Sequence, residues 1–467
     1  MTRRRSWIVA TSPIGENEMH RKPFHLAKPL AALGAAAAIL TLAPRPAGAV
    51  PSFARQTGMA CAACHTVFPE LTPFGRRFKL SAYATTTKQE ITAVTEEKKP
   101  TLSLPELPPI SIMFQGSATW LGKATDDTGL AGTKAQNGTV QFPQALSLFY
   151  AGKVTDHTGA FFQITYTQPD NHFSIDNSDI RYADLTASGD LLYGVTLNNN
   201  ITVQDVWHGT PAWGYPAFAP PVGITPAAAP LIGALGASVA GVGVYGFYKD
   251  ALYVEASVYR ASLTGATVPI DSTSGAYVDN VAPYARVAYE WQWGRSSLQV
   301  GVFGARMQLN SNPGGALVAH DTYTDVAVDA QYQFIGEEHI FSVAGSWIHE
   351  NQGLDGLQAA GGATNATNSL DQIKVTGSYY YKRTLGGQLT LASVNGTTDA
   401  ALYAASTTGS PDSRWATVEL DYLPFLNTKL LLQYTLYQKF NGSTGVYDGA
   451  RKPSDNNALM LGLWTSF

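Results

Sequence analysis

From residue 110 to the end, the chain alternates apolar residues with polar or small ones at a period of two. The stretches 112–120 (IMFQGSATW), 160–166 (AFFQITY) and 252–259 (LYVEASVY) are typical. This period predicts strands that present one face to an apolar environment and the other to a polar one. Roughly sixteen such segments can be traced, centred near residues 116, 147, 163, 183, 195, 245, 255, 287, 301, 329, 343, 377, 390, 418, 433 and 461. The connections between them alternate in length. Short ones fall at 155–159, 187–190, 249–250, 293–295, 336–338, 385–387 and 423–425. Long ones fall near 123–141, 168–177, 200–240, 261–280, 309–321, 351–369, 396–411 and 440–455. An even-numbered meander with short turns at one end and long loops at the other predicts a transmembrane antiparallel β-barrel over 110–467. The last segment places Leu459, Leu461, Leu463 and Phe467 on one face. In a closed barrel it would have no free edge.

Composition narrows the choice. Charged residues make up 14% of the chain, against a usual ~25%. Gly (44), Tyr (23), Phe (19) and Trp (9) are plentiful, yet the mean hydropathy is only -0.06. A helical membrane protein would be more hydrophobic and a soluble enzyme more charged. Alternating strands reconcile abundant aromatics with neutral hydropathy. A net charge of -4, with no basic stripe after the N-terminus, excludes nucleic acid as the expected partner.

Upstream of the strands the pattern changes three times. Residues 1–49 read as an export signal. A basic start (Arg3, Arg4, Arg5, Arg21, Lys22, Lys28) precedes an apolar run over 29–43, and Ala47-Gly48-Ala49 matches a cleavage site. Met19 is an alternative start. The apolar run is too short for a span needing ~20 residues. Residues 50–85 hold short helical pieces broken at Pro69 and Pro73. Residues 86–109, with Pro105, Pro108 and Pro109, read as an extended linker without regular structure.

The chemistry lies in residues 50–85, at Cys61-Ala62-Ala63-Cys64-His65. C-x-x-C followed at once by His is the spacing for covalent haem attachment. Each thiol can add to one haem vinyl group, and the turn then sets the imidazole under the iron. These are the only two cysteines. Zinc would want four Cys or His ligands, and a thioredoxin-like site would want a βαβ setting. One haem c is therefore expected on Cys61 and Cys64, with His65 as axial ligand. Phe68, Leu71, Phe74, Phe78, Leu80 and Tyr83 are spaced as a face that could cover it.

A segment of about 35 residues cannot bury enough surface to stand alone. Something else must cover the haem. The segment offers no obvious second axial ligand, because Met59 sits too near the tether. Met113 at the start of the first strand, His208 in the long loop and an open site are the alternatives. Arg76 and Arg77, with Lys79, suit haem propionates as guanidinium forks suit carboxylates; a solvated basic face is the other reading. Asp126, Asp127, Asp170, Asp176 and Asp179 could draw cations to the loops, or merely solvate them.

An export signal, a monohaem C-A-A-C-H segment and a sixteen-strand pattern in one chain resemble the fused cytochrome–porins of bacterial outer membranes, whose best-known members are iron oxidases. The most specific stretches are 54–61 (ARQTGMAC), 65–76 (HTVFPELTPFGR) and 78–80 (FKL). The terminal Phe467 resembles the assembly signal of outer-membrane proteins. The third long loop, 201–240, resembles the constriction loop of general porins, which folds into the lumen. The family implies electron transfer from an extracellular donor, Fe(II) among the candidates, to a periplasmic acceptor such as a soluble cytochrome. The haem segment would lie on the periplasmic side or plug the lumen, and outer-membrane lipid would surround the barrel. The alternatives are a solute-diffusion porin with a structural haem plug and, third, small-molecule chemistry such as peroxide reduction at an open iron.

Overall fold

The computed structural model describes residues 51–94, 100–125, 137–168, 171–261, 278–310 and 319–467. The expected export signal lies outside them, as do Asp126, Asp127 and Asp170.

Among the described residues, sixteen long strands close into one antiparallel barrel. They are β3 (Ile110–Leu121), β4 (Thr139–Thr155), β5 (Thr158–Thr167), β7 (Asp179–Leu185), β8 (Leu191–Asn198), β9 (Val239–Tyr248), β10 (Leu252–Ala261), β12 (Ala282–Trp293), β13 (Ser296–Leu309), β14 (Asp321–Ile335), β15 (His339–Gly353), β16 (Thr367–Tyr381), β17 (Leu385–Gly396), β18 (Ser413–Phe425), β19 (Thr428–Lys439) and β20 (Ala458–Ser466). Two short strands, β6 (His172–Ile175) and β11 (Val278–Asp279), extend hairpins at the rim. Closure is made by β20 against β3, with Leu461 opposite Ala118. Each of the sixteen expected centres falls inside one of these strands.

The period of two sorts the side chains. On β12, Tyr284, Arg286, Ala288 and Glu290 point inward and are buried, while Val287, Tyr289 and Trp291 are exposed on the outside. On β14, Asp325, Asp329, Gln331 and Gln333 are buried, while Val326 and Val328 are exposed. Exposed Val244, Val254, Val302, Ile373 and Leu391 continue an apolar belt. Exposed Trp291, Trp293, Phe341, Tyr379 and Tyr381 cluster beside the short turns. A closed barrel with an apolar outer belt and an aromatic rim satisfies every backbone group and suits a bilayer.

The lumen is filled from both ends. Residues 51–83 form a plug of three helices, α1 (Pro51–Thr57), α2 (Cys61–Cys64) and α3 (Pro73–Leu80). The plug enters at the short-turn end, where Arg77 pairs with Asp250 in the β9–β10 turn. The long loop 199–238 enters from the other end. Its Leu231 and Ile232 amides donate to Glu350 at 2.5 Å and Asp325 at 3.1 Å on the wall.

The expected structureless linker is different. Its residues form a hairpin, β1 (Glu90–Val94) against β2 (Pro100–Pro105), with Glu90 opposite Pro105. Pro100 and Pro105 mark the two ends of β2, where a missing N–H is tolerated, and Pro108 and Pro109 lie beyond it.

Candidate haem site

The C-x-x-C-H stretch is one short helix turn held by its neighbours. His65 N–H donates to the Cys61 carbonyl at 2.8 Å, and α2 packs against α3. Thr72 sets that packing. Its Oγ1 caps α3 by accepting from the Gly75 amide at 3.1 Å and donates to the Ala63 carbonyl at 2.6 Å. Pro73 at the first helical position suits this start. Gly75 is required for contact: a Cβ there would lie 2.1 Å from the Cys64 carbonyl oxygen. Cys61 and Cys64 are not joined to each other by a disulfide, and burial pushes both thiols up to about 11.

Cys64 and His65 open into a cavity of about 700 Å³ between plug, wall and loop. The plug contributes Phe53, Phe68, Leu71, Phe78 and Tyr83. The wall contributes Met113, Phe149, Phe161 and Trp464, and the loop contributes His208, Trp213 and Phe218. Phe68 packs edge-on to Trp464 with centroids 4.9 Å apart, and its ring lies 5.2 Å from that of His65. The size and the apolar lining fall within the range of cofactor pockets, ~300–1,000 Å³. Cys61 is buried beside this cavity, in a smaller pocket that it shares with His65, Phe68 and Trp464. Two thiols and one imidazole on a single turn, with aromatic rings around, are a donor set that fits a haem. His65 Nδ1 donates to the Pro69 carbonyl at 3.2 Å, which leaves Nε2 as the lone pair. Burial pushes His65 down to about 4, so the ring is neutral, the form that binds iron.

No family model matches this chain, and no curated protein sequence matches it. Solved structures do resemble it. OmpF of Salmonella typhi is 12% identical over 77% of this chain and 97% of its own, with a TM-score of 0.48. The outer membrane channel DcaP of Acinetobacter baumannii is 14% identical over 77% and 96%, at 0.45. OprB of Pseudomonas putida is 11% identical over 77% and 93%, at 0.43. Its structural neighbours are bacterial outer-membrane porins.

The other expected site residues divide. His208 and Met113 both line the cavity. Arg76 and Arg77 do not. Arg76, 1% exposed, turns to the wall: it pairs with Glu290 at 2.6 Å and donates to Gln333 at 2.7 Å, Ser297 at 3.2 Å and the Leu71 carbonyl at 3.0 Å. Arg77 pairs with Asp250 at the rim. Both guanidiniums, expected at haem propionates, are here paired with carboxylates of the barrel, Glu290 and Asp250. The one cation of this group that lines the cavity is Lys79, whose Nζ donates to the carbonyls of Val203 at 2.7 Å and Asp205 at 3.0 Å and lies over Trp213. Burial lowers its pKa to about 7. Of the expected covering face, Phe74 is 41% exposed, and Leu80 is buried against Trp207, Tyr245 and Tyr253 instead. Asp176 accepts from Thr165 at 2.8 Å and Gln163 at 3.0 Å, and Asp179 pairs with Arg181 at 3.0 Å. Among the described residues no group of three or more His, Cys, Asp or Glu gathers to hold a free metal ion.

Sequence reasoning missed the residues that seat plug and loop. Glu290 takes Arg76 on one carboxylate oxygen and Trp207 Nε1, at 2.7 Å, on the other. Glu70 is fully enclosed, taking Gln333 Nε2 at 2.6 Å and the Ser342 hydroxyl, and burial raises its pKa. A signal did exist: Arg286, Glu290, Asp325 and Asp329 are charges at inward positions of alternating strands.

Proposed function

We propose that this chain carries one haem c, bound through Cys61 and Cys64 with His65 on the iron, inside an outer-membrane barrel, and passes electrons across that membrane. The observation that carries the reading is that Cys64 and His65 of the C-x-x-C-H turn line a largely apolar cavity between plug, wall and loop. Haem supplies the redox chemistry, one electron at a time between ferrous and ferric iron. The protein's own part is positional. His65 presents Nε2 because Pro69 holds Nδ1. Phe68, Phe78, Trp213 and Trp464 line the cavity with apolar rings. The plug brings the site into a barrel that crosses a hydrocarbon layer ~30 Å thick. With the short turns periplasmic, as in outer-membrane barrels, the plug faces a periplasmic acceptor, a soluble cytochrome for instance, and the loop side faces an extracellular donor. The resemblance to iron-oxidising cytochrome–porins makes Fe(II) the first donor to test, and with it an Fe(II) oxidoreductase activity.

Stopped-flow absorbance of the oxidised protein mixed with Fe(II), at several pH values, tests this directly. Ferrous haem bands should appear rapidly. Reduction by dithionite but not by Fe(II) would remove iron as the donor and keep the conduit. The second reading, a solute-diffusion porin with a structural haem plug, draws on the inward long loop. Solute flux in liposomes that is independent of haem redox state would favour it. The lumen filled from both ends speaks against free passage.

A further inference from the structure

We propose that His208 is the second axial ligand, so that the iron is held between two imidazoles, one on the plug and one on the long loop. This rests on the haem reading above. His208 lines the same cavity as Cys64 and His65, although it reaches it from the opposite end of the barrel. Its Nδ1 donates to the Trp213 carbonyl at 2.9 Å. A carbonyl only accepts, so Nδ1 carries the proton and Nε2 carries the lone pair. His65 is arranged in the same way by Pro69. Such a backbone bond fixes the tautomer and the ring orientation of a ligating histidine.

The backbone around His208 is built to hold that ring. His208 has φ +58°, in the left-handed region that non-glycine residues rarely occupy. The Asp205 carboxylate fixes the turn by accepting from the Trp207 amide, and from the amide and hydroxyl of Thr210, each at 3.0 Å. Gly209 follows at a point where a Cβ would lie 2.2 Å from Asp329 Oδ2. Asp329 in turn grips Arg286 with two bonds of 2.8 Å. His208 is thus a left-handed residue whose backbone is held from both sides and whose ring lines the cavity.

Met113 lines the cavity too, but its side chain is packed in an apolar cluster with Phe149, Phe218, Met460 and Trp464, as a core methionine would be. A second imidazole in place of a thioether lowers the reduction potential, which favours stronger reductants as donors.

The test uses the full chain, matured with haem and purified from outer membranes. Haem staining after denaturing electrophoresis comes first. Its failure would overturn the haem reading, and this inference with it. With haem attached, the ferric protein should be low-spin, with the near-infrared magnetic circular dichroism band of two nitrogen ligands. His208→Asn, whose side chain tolerates a left-handed φ, should turn most of the haem high-spin, and added imidazole should restore low spin. His208→Met should stay low-spin and gain the sulfur-to-iron charge-transfer band. Met113→Leu should keep the wild-type spectrum. A sulfur-to-iron band in the wild type that Met113→Leu abolishes would overturn the assignment. So would a wild-type high-spin haem, or a bis-nitrogen spectrum unchanged in His208→Asn, while each leaves the haem reading standing.

Discussion

Arg76 and Glu290 form a buried ion pair at 2.6 Å that fastens the plug to the inner wall of the barrel. The other oxygen of Glu290 accepts from Trp207, the neighbour of His208, at 2.7 Å. One carboxylate therefore joins the plug and the long loop, the two parts that enclose the cavity.

Removing that carboxylate should loosen both. Glu290→Ala leaves the Arg76 guanidinium buried without its counter-charge, a loss of about 3–5 kcal/mol for such pairs. The barrel, held by its own strand ladders, should keep its heat-modifiable mobility on gels. Limited proteolysis should then cut within 51–83 much faster than in the wild type. Glu290→Gln, which keeps an acceptor for Trp207, should cost less. Equal cutting rates in wild type and Glu290→Ala would show that the pair does not seat the plug.

Gly75→Ala should disturb the C-x-x-C-H turn directly. The new Cβ would meet the Cys64 carbonyl oxygen at 2.1 Å, and backbone cannot yield as a flexible side chain does. Overpacking of this kind costs about 1–3 kcal/mol. Hydrogen exchange at the amides of residues 61–65 should rise while the strands stay protected.

Lys79 makes the seating of the plug pH-dependent. Burial lowers its folded pKa to about 7, from an unfolded value of 10.5. Between those values the unfolded chain binds more protons than the folded one, so stability rises with pH. Below about 7 both forms are protonated and the penalty is constant. Plug amides, after correction for intrinsic exchange, should be better protected at pH 9 than at pH 7. Lys79→Met should flatten that difference. Greater protection at pH 7 would reverse the sign and exclude Lys79 as the cause.

The proposed haem should depend on two thiols in a graded way. Cys64→Ala, with one thioether left, should retain a weaker haem stain on denaturing gels. The double variant Cys61→Ala/Cys64→Ala should show none, with the barrel still assembled. A stain that survives in the double variant would mean that the haem is not held by this motif.

The sequence by itself determined the strands and the motif. Alternation is a local property, because successive side chains on a strand point to opposite faces, and so all sixteen centres could be read from apolar spacing alone. The C-A-A-C-H motif is local too, because five consecutive residues carry it, although Thr72 and Gly75 are needed to hold its turn. Tertiary structure decided everything that links distant segments. Arg76 and Arg77 could be read as cations, but only the closed barrel shows Glu290 and Asp250 as their partners. His208 could be read as one histidine in a long loop. That it shares a cavity with His65 follows from two insertions meeting in one lumen, and sequence periodicity carries no information about what meets across a barrel. The prolines of 86–109 suggested an irregular linker, yet a hairpin forms: Pro100 and Pro105 fall at the ends of its second strand, and Pro108 and Pro109 follow it. Local geometry is written in neighbouring residues. Partnership across the lumen is set by closure, which depends on all sixteen strands at once.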